Sequence, residues 1–437
     1  MKKIFFAVLL LLAACTSLQV VEESHSAAGS KYVLGNGITV LMKENHNTGL
    51  VAIDALFKVG LTQEPKPGMN NFVAKMLLRG TKKRTGEDIL SQIENVGGSI
   101  SSRTFAEYCE IGIVVPSEYF SVGLEILKDI IMNSEFSVEE FEKTKAKILD
   151  ELKAKEDDPN IVEEELFMKA LYDKHPYANP IDGFIDSVKT ITRDELVEHY
   201  RKWFSPNNLF IGIAGNFYEK PTIRALAYLF RDFKKQPFEE KLIFAEPLKS
   251  KRVLTKNKLL ESFFINYGFL ISPVTSPDFV RMRVVTSALG SGVSSRMFTE
   301  LRGKRGLGYL TYAKQPSVRI NGFIKMVMIV RPSVLNQSLK GIQDLVDEIK
   351  TEKMSEKELT HVKNKMKGFY LLAHQESKEQ ANFLAFYEMQ GVGYDYDVEY
   401  PKKIDSVSVD DVYAVANKYL NNPAIAITGP FSVNLFK

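Results

Sequence analysis

Two residues seven positions apart, Arg302 and Tyr309, close the run Ser294-Ser295-Arg296-Met297-Phe298-Thr299-Glu300-Leu301-Arg302-Gly303-Lys304-Arg305-Gly306-Leu307-Gly308-Tyr309. A guanidinium and a phenol both donate hydrogen bonds. Together they could hold a peptide carbonyl, or the oxyanion that forms when such a carbonyl is attacked. Arg302 is expected to end a short helix, with Gly303 and Gly306 turning the chain so that Tyr309 emerges on the next strand. On spacing alone the pair has a plainer reading, Arg302 as a cation at a helix C-terminus and Tyr309 as a core aromatic. A second stretch, Gly68 to Thr81, has a helical pattern stopped by Arg79-Gly80 and carries Asn71, Ala74 and Lys75. The six histidines are His25, His46, His175, His199, His361 and His374. No two lie within five residues, so no helix offers the paired imidazoles of a metal site.

Both stretches resemble segments of the pitrilysin/insulinase family of zinc metallopeptidases. Those enzymes place an inverted motif, H-x-x-E-H, just before a Met-Leu-x-Lys/Arg-Gly-Thr run. Here that run is Met76-Leu77-Leu78-Arg79-Gly80-Thr81, which puts Asn71, Ala74 and Lys75 in the His, Glu and His positions. Asn71 is a poor zinc ligand, Lys75 sets a cation where the metal would sit, and Ala74 cannot take a proton from zinc-bound water. The family's third ligand, a downstream glutamate, falls on Glu151. It stands at the edge of an apolar helical face centred on Phe141, Ile148 and Leu152. Two readings stay open: a half-exposed helix glutamate beside a neighbouring lysine, or a partner for Lys75 in the former metal pocket. The resemblance implies that Arg302 and Tyr309 are the family's substrate-binding pair, which reaches the peptide near the zinc.

Length and composition agree with a folded, multi-domain protein. The chain has 437 residues, 45% hydrophobic and 25% charged, with a formal charge of +3 to which Lys2 and Lys3 contribute. Nothing in that balance points to a nucleic-acid partner. Lys2-Lys3 followed by the apolar stretch Ile4 to Leu12 reads as a secretory signal, far short of the roughly 20 residues of a spanning helix. It ends in Leu12-Ala13-Ala14-Cys15, which resembles a bacterial lipobox with Cys15 as the lipidated residue. The alternative is a soluble secreted protein with an incidental Cys15. Thr16 in place of an aspartate favours the outer membrane. Acylation of Cys15 would leave Cys109 unpaired, as a small buried hydrophobe in a strand.

The chain repeats itself once. Ile191-Thr192-Arg193-Asp194-Glu195-Leu196, then Trp203-Phe204, Asn207-Asn208 and Ala214-Gly215, are matched in order by Val407 to Val412, Tyr419-Leu420, Asn421-Asn422 and Thr428-Gly429. Strand pairs separated by helical pairs indicate an α+β class, with helices over one sheet face in each half. The expected division is a signal peptide at 1–15, a flexible tether at 16–30, a first domain at 31–233, a linker at 234–257 and a second domain at 258–437. The resemblance implies that each half is an α/β roll and that the two form a clamshell. Long helices are expected at Val138 to Lys155, at Ser333 to Glu352, and unbroken from Glu356 to Gln390.

The resemblance further implies the family's division of labour between subunits. The expectation is a non-catalytic, substrate-binding subunit of a heteromeric periplasmic metalloendopeptidase, anchored by lipid. It would act with a catalytic subunit that carries the intact motif and the zinc, holding no cofactor itself. The alternatives are a purely structural or peptide-binding family member and an autonomous peptidase.

Overall fold

The computed structural model describes residues 18–237 and 242–431. Cys15 lies outside them. The first half runs β1 (Val20–His25), β2 (Ser30–Leu34), β3 (Thr39–Glu44), β4 (Leu50–Phe57), α1 (Met69–Leu77), α2 (Gly86–Glu94), β5 (Ser99–Thr104), β6 (Cys109–Pro116), α3 (Phe120–Asn133), α4 (Val138–Lys155), α5 (Pro159–Tyr172), α6 (Ile185–Thr190), α7 (Arg193–Trp203), β7 (Leu209–Gly215) and α8 (Glu219–Leu229). The second runs β8 (Arg252–Asn257), β9 (Phe263–Ile271), α9 (Asp278–Gly290), a π-helical stretch Met297–Lys304, β10 (Leu310–Lys314), β11 (Gly322–Val330), α10 (Leu335–Thr351), α11 (Glu356–Ala373), α12 (Ser377–Met389), α13 (Tyr396–Asp405), α14 (Val409–Tyr419) and β12 (Ala424–Gly429).

Sheet order bears out the duplication. The first sheet is β1-β2-β3-β7-β4-β6-β5 and the second is β10-β11-β9-β12-β8. Among the described residues the only parallel neighbours are β3 with β7 and β8 with β12, so β3 to β7 correspond to β8 to β12 in turn. Matching caps start the helix that precedes the closing strand of each copy: Thr192 with Glu195, and Ser408 with Asp411, form reciprocal capping boxes.

Three boundaries differ from expectation. The tether contains β1, which pairs antiparallel with β2 at the sheet edge; its Val-Val-Glu-Glu-Ser-His sequence is polar because most of the strand faces solvent. The linker ends in β8, the first strand of the second copy, whose mostly exposed edge position explains its charged composition. The helix expected from Glu356 to Gln390 is two helices, broken at His374 to Glu376, because α12 turns away to pack elsewhere.

It packs on the other half's sheet. Alternation along β4 sends Val51, Ile53, Ala55 and Phe57 into the first core, while Ala52 and Leu56 face α12 with its Ala381, Leu384 and Ala385. In exchange α5 covers β8, β9 and β12 of the second sheet through Phe167, Ala170 and Leu171. The approach is close at both junctions. A side chain at Gly212 would collide with the Ala381 carbonyl, and one at Gly268 with the Phe167 ring. The halves are therefore tied by an exchange of helices as well as by the linker. Glu107, between β5 and β6, adds a polar tie: it accepts from the backbone N–H of Arg319 at 2.9 Å and of Ile320 at 3.2 Å, from Gln390 Nε2 at 2.9 Å, and from Tyr177 Oη.

Candidate functional site

The α1 helix is held rigidly from beneath. Glu64 accepts from Asn70 N at 2.7 Å and Gly68 N at 3.2 Å, and so occupies donors that the first helical turn leaves without partners. Burial raises its carboxyl to about 8. Asn70 donates Nδ2 to Gly60 O at 2.9 Å and accepts from His199 Nε2 at 2.7 Å. Burial pushes His199 down to about 3, so the imidazole is neutral and α7 is fastened to α1 without charge.

On this helix Lys75 Nζ donates to Glu151 Oε2 of α4 at 2.9 Å, with the side chains 29% and 38% exposed. Of the two readings of Glu151, the pair with Lys75 is the one observed. Asn71 is buried and its Nδ2 has no partner, and Ala74 is buried as well. These residues do not fit zinc. An ammonium lies against the one retained carboxylate, and among the described residues no group of three His, Cys, Asp or Glu side chains could hold a metal.

Arg302 and Tyr309 stand elsewhere. Arg302 lies in the last turn of the π-helical stretch, its guanidinium 4.9 Å from the Phe298 ring centre, and makes no ion pair among the described residues. Tyr309 donates its backbone N–H to Ile329 O at 2.9 Å and leaves its side chain 81% exposed, so it is not a core aromatic.

Between α5 and the second sheet lies a cavity of about 480 Å³. Lys155, Glu163, Glu164, Tyr312, Lys314 and Lys325 contribute to its wall, whereas Asn71, Lys75, Glu151, Arg302 and Tyr309 do not. Lys325 emerges from the middle of β11, almost wholly buried, and pairs with Glu164. Loss of solvent pulls Lys325 down to about 7 and raises Glu163 to about 8, with Glu163 accepting from Asn266 N at 3.0 Å. The first sheet has its counterpart: Asp54 accepts from Asn382 Nδ2 of α12 at 2.6 Å, and Glu110 pairs with Arg103.

Comparison with known proteins agrees with this geometry. Residues 39–183 match the family described as Insulinase (Peptidase family M16), and residues 190–366 match Peptidase M16 inactive domain. The chain belongs to the M16 peptidase family, the pitrilysin/insulinase group. An uncharacterized zinc protease of Bacillus subtilis, YmxG, is 26% identical over 345 residues, covering 78% of this M16 chain and 84% of that protein. One from Streptomyces coelicolor is 27% identical over 372 residues, covering 83% and 81%. A protease from Helicobacter pylori shares the fold with a TM-score of 0.88 at 18% identity, over 94% of this chain and 100% of the other. A Peptidase M16 inactive domain from Pseudomonas fluorescens does so at 0.85 and 20% identity, over 94% and 98%.

Within this M16 chain the buried charges on the two sheets were missed from sequence. Their signal is present: Asp54 interrupts Leu-Val-Ala-Ile-Asp-Ala-Leu-Phe, and Lys325 interrupts Gly-Phe-Ile-Lys-Met-Val-Met-Ile-Val. A lone charge inside an apolar strand needs a partner from whatever covers that face.

Proposed function

We propose that this chain is the non-catalytic, substrate-binding subunit of a heteromeric zinc metalloendopeptidase. It would be exported and held by lipid on Cys15 at the periplasmic face of the outer membrane. The observation that carries this reading is the Lys75–Glu151 ion pair, which fills the family's metal position with an ammonium. The exposure of Tyr309 and the unpaired charge of Arg302 support the rest of it. Among the described residues neither side chain has a hydrogen-bond or ion-pair partner, Arg302 lying only over the Phe298 ring, and both are suited to a peptide bound against a partner's zinc. Zinc and the general base then belong to a second subunit with an intact H-x-x-E-H motif, and this chain supplies binding energy and orientation.

The test is to assay peptide cleavage and bound zinc for the chain alone, for such a homologue, and for the mixture. Cleavage is expected in the mixture and lost with Arg302→Ala or Tyr309→Phe. Zinc-dependent cleavage by the lone chain would overturn the proposal.

A further inference from the structure

The internal repeat gives every position of the former metal site a counterpart in the second half. Ser137 and Ser355 are equivalent N-caps of the 18-residue helices α4 and α11, so Glu151 on the first corresponds to Phe369 on the second. Asp54, opposite Gly212, corresponds to Asn266, opposite Ala426. Counting on equally from those two residues, Asn71, Ala74 and Lys75 on α1 correspond to Arg283, Thr286 and Ser287 on α9. In the first half this place is closed by the Lys75–Glu151 pair. In the second it is a cavity of about 380 Å³ lined by Arg283, Thr286, Ser287 and Phe369.

The chemistry of the cavity is one-sided. Arg283 donates Nη2 to Ser317 Oγ at 2.9 Å, while its buried Nε has no partner and its guanidinium no carboxylate among the described residues. Lys314 borders this cavity, but its ammonium pairs with Glu164 at 3.9 Å on the side of the cavity beneath α5, which leaves Arg283 as the cation available here. No Asp or Glu lies among the described lining residues. Much of the remaining wall is aromatic: Tyr370, Phe383, Tyr387 and Tyr400 line it with Phe369, which is 52% exposed, beside Gln315 and Met366. His374 is already engaged by Asp397 at 2.6 Å.

We infer that this cavity binds the C-terminal carboxylate of a peptide whose last residue is aromatic or large and apolar. Arg283 receives the carboxylate, and the aromatic side chains receive the apolar one. The buried Nε–H of Arg283, without a partner, costs free energy that a carboxylate recovers. An acidic side chain would satisfy the guanidinium but offers little apolar surface to the rings, whereas a terminal Phe or Leu brings both groups on one residue. The volume is at the low end of the roughly 300–1,000 Å³ of small-molecule sites, which suits one or two residues and excludes a long segment. The inference rests on the reading of the chain as a peptide binder. It concerns a site apart from Arg302 and Tyr309 and requires no partner subunit.

The experiment uses the chain alone and two fluorescein-labelled peptides ending in Ala-Leu-Phe, one with a free carboxylate and one amidated. Fluorescence anisotropy is expected to show binding of the free acid, with the amide weaker by tenfold or more. A charge-assisted hydrogen bond is worth on the order of ten- to a hundredfold in affinity, and Arg283→Gln is expected to remove that preference. Arg283→Lys should retain part of it, and thermal melting of both variants reports whether the fold is intact. Equal binding of acid and amide, binding of neither, or an unchanged preference in a folded Arg283→Gln protein would each overturn the inference. Cleavage assays with the catalytic partner stay independent of these outcomes, so the subunit reading can fail or stand separately.

Discussion

Lys75 of α1 and Glu151 of α4 meet at 2.9 Å, joining the two helices that in a zinc-bearing relative would be joined through the metal. The pair is about one-third exposed, so water screens it and its stabilisation is limited to roughly 0–1 kcal/mol. Lys75→Ala is therefore expected to lower stability by no more than about 1 kcal/mol in a denaturant titration. A much larger loss would show that the ammonium holds α1 and α4 together in the way a metal would.

The scaffold beneath the pair is intact. Glu64, Asn70 and His199 fix α1 independently of Lys75, and Glu151 already points at the site. The triple variant Asn71→His, Ala74→Glu, Lys75→His should consequently bind about one zinc per chain, with Glu151 completing a three-residue ligand set. Elemental analysis after dialysis checks this. Failure to take up zinc in a folded protein would mean that α1 and α4 have moved apart since the ligands were lost.

The helix exchange makes each half depend on the other. Without α12, Ala52, Leu56 and Ala214 on one face of the first sheet would be in water, and Asp54 would lose its bond to Asn382. A fragment of residues 18–237 should therefore be unfolded or aggregated in isolation, and the full chain should melt in a single transition. Phe167→Ala, which empties a fully buried ring site between α5 and Gly268, should cost about 3–5 kcal/mol. Its effect should reach both halves in hydrogen exchange. Two separated melting steps would contradict this coupling.

Local pattern made the elements legible, and long-range partnership was not. The α4 helix starts at its Ser137 cap and runs as far as its apolar spacing says it should. The duplicated Thr192 and Ser408 caps revealed the repeat. What no local pattern carries is which sheet a helix covers. α5 places Glu163 and Glu164 against the opposite half, and those charges make its buried face look like a solvated one. In the same way β1 and β8 read as tether and linker because edge strands carry polar side chains. At the candidate site the absent zinc ligands could be read from residue types alone. The Lys75–Glu151 contact needed the packing of α1 on α4.

Asp54 and His199 set opposite pH dependences. Burial, and then the charge of Glu110, raise Asp54 above the ordinary carboxylate value near 4. The folded chain then holds a proton that the unfolded chain releases, and the contribution is full below pH 4 and lost as pH rises toward the folded value. Asp54→Asn keeps an acceptor for Asn382 and cannot ionise. Its stability relative to wild type should therefore increase with pH, by up to about 1.4 kcal/mol per unit.

For His199 the sign is reversed. Its folded value of about 3 lies below the ordinary 6.5, so below pH 6.5 the unfolded chain takes up a proton that the buried imidazole refuses. This contribution is complete above pH 6.5 and is lost as pH falls toward 3. His199→Gln leaves an amide able to donate to Asn70 Oδ1 and nothing to titrate. The variant should be the less stable protein at pH 7.5 and should gain on wild type by about 1.6 kcal/mol between pH 6.5 and 5.0. Urea midpoints at the two pH values measure the change directly. A stability difference that stays constant with pH would mean that His199 titrates alike in the folded and unfolded chain, so that below pH 6.5 a charged imidazole would fasten α1 to α7.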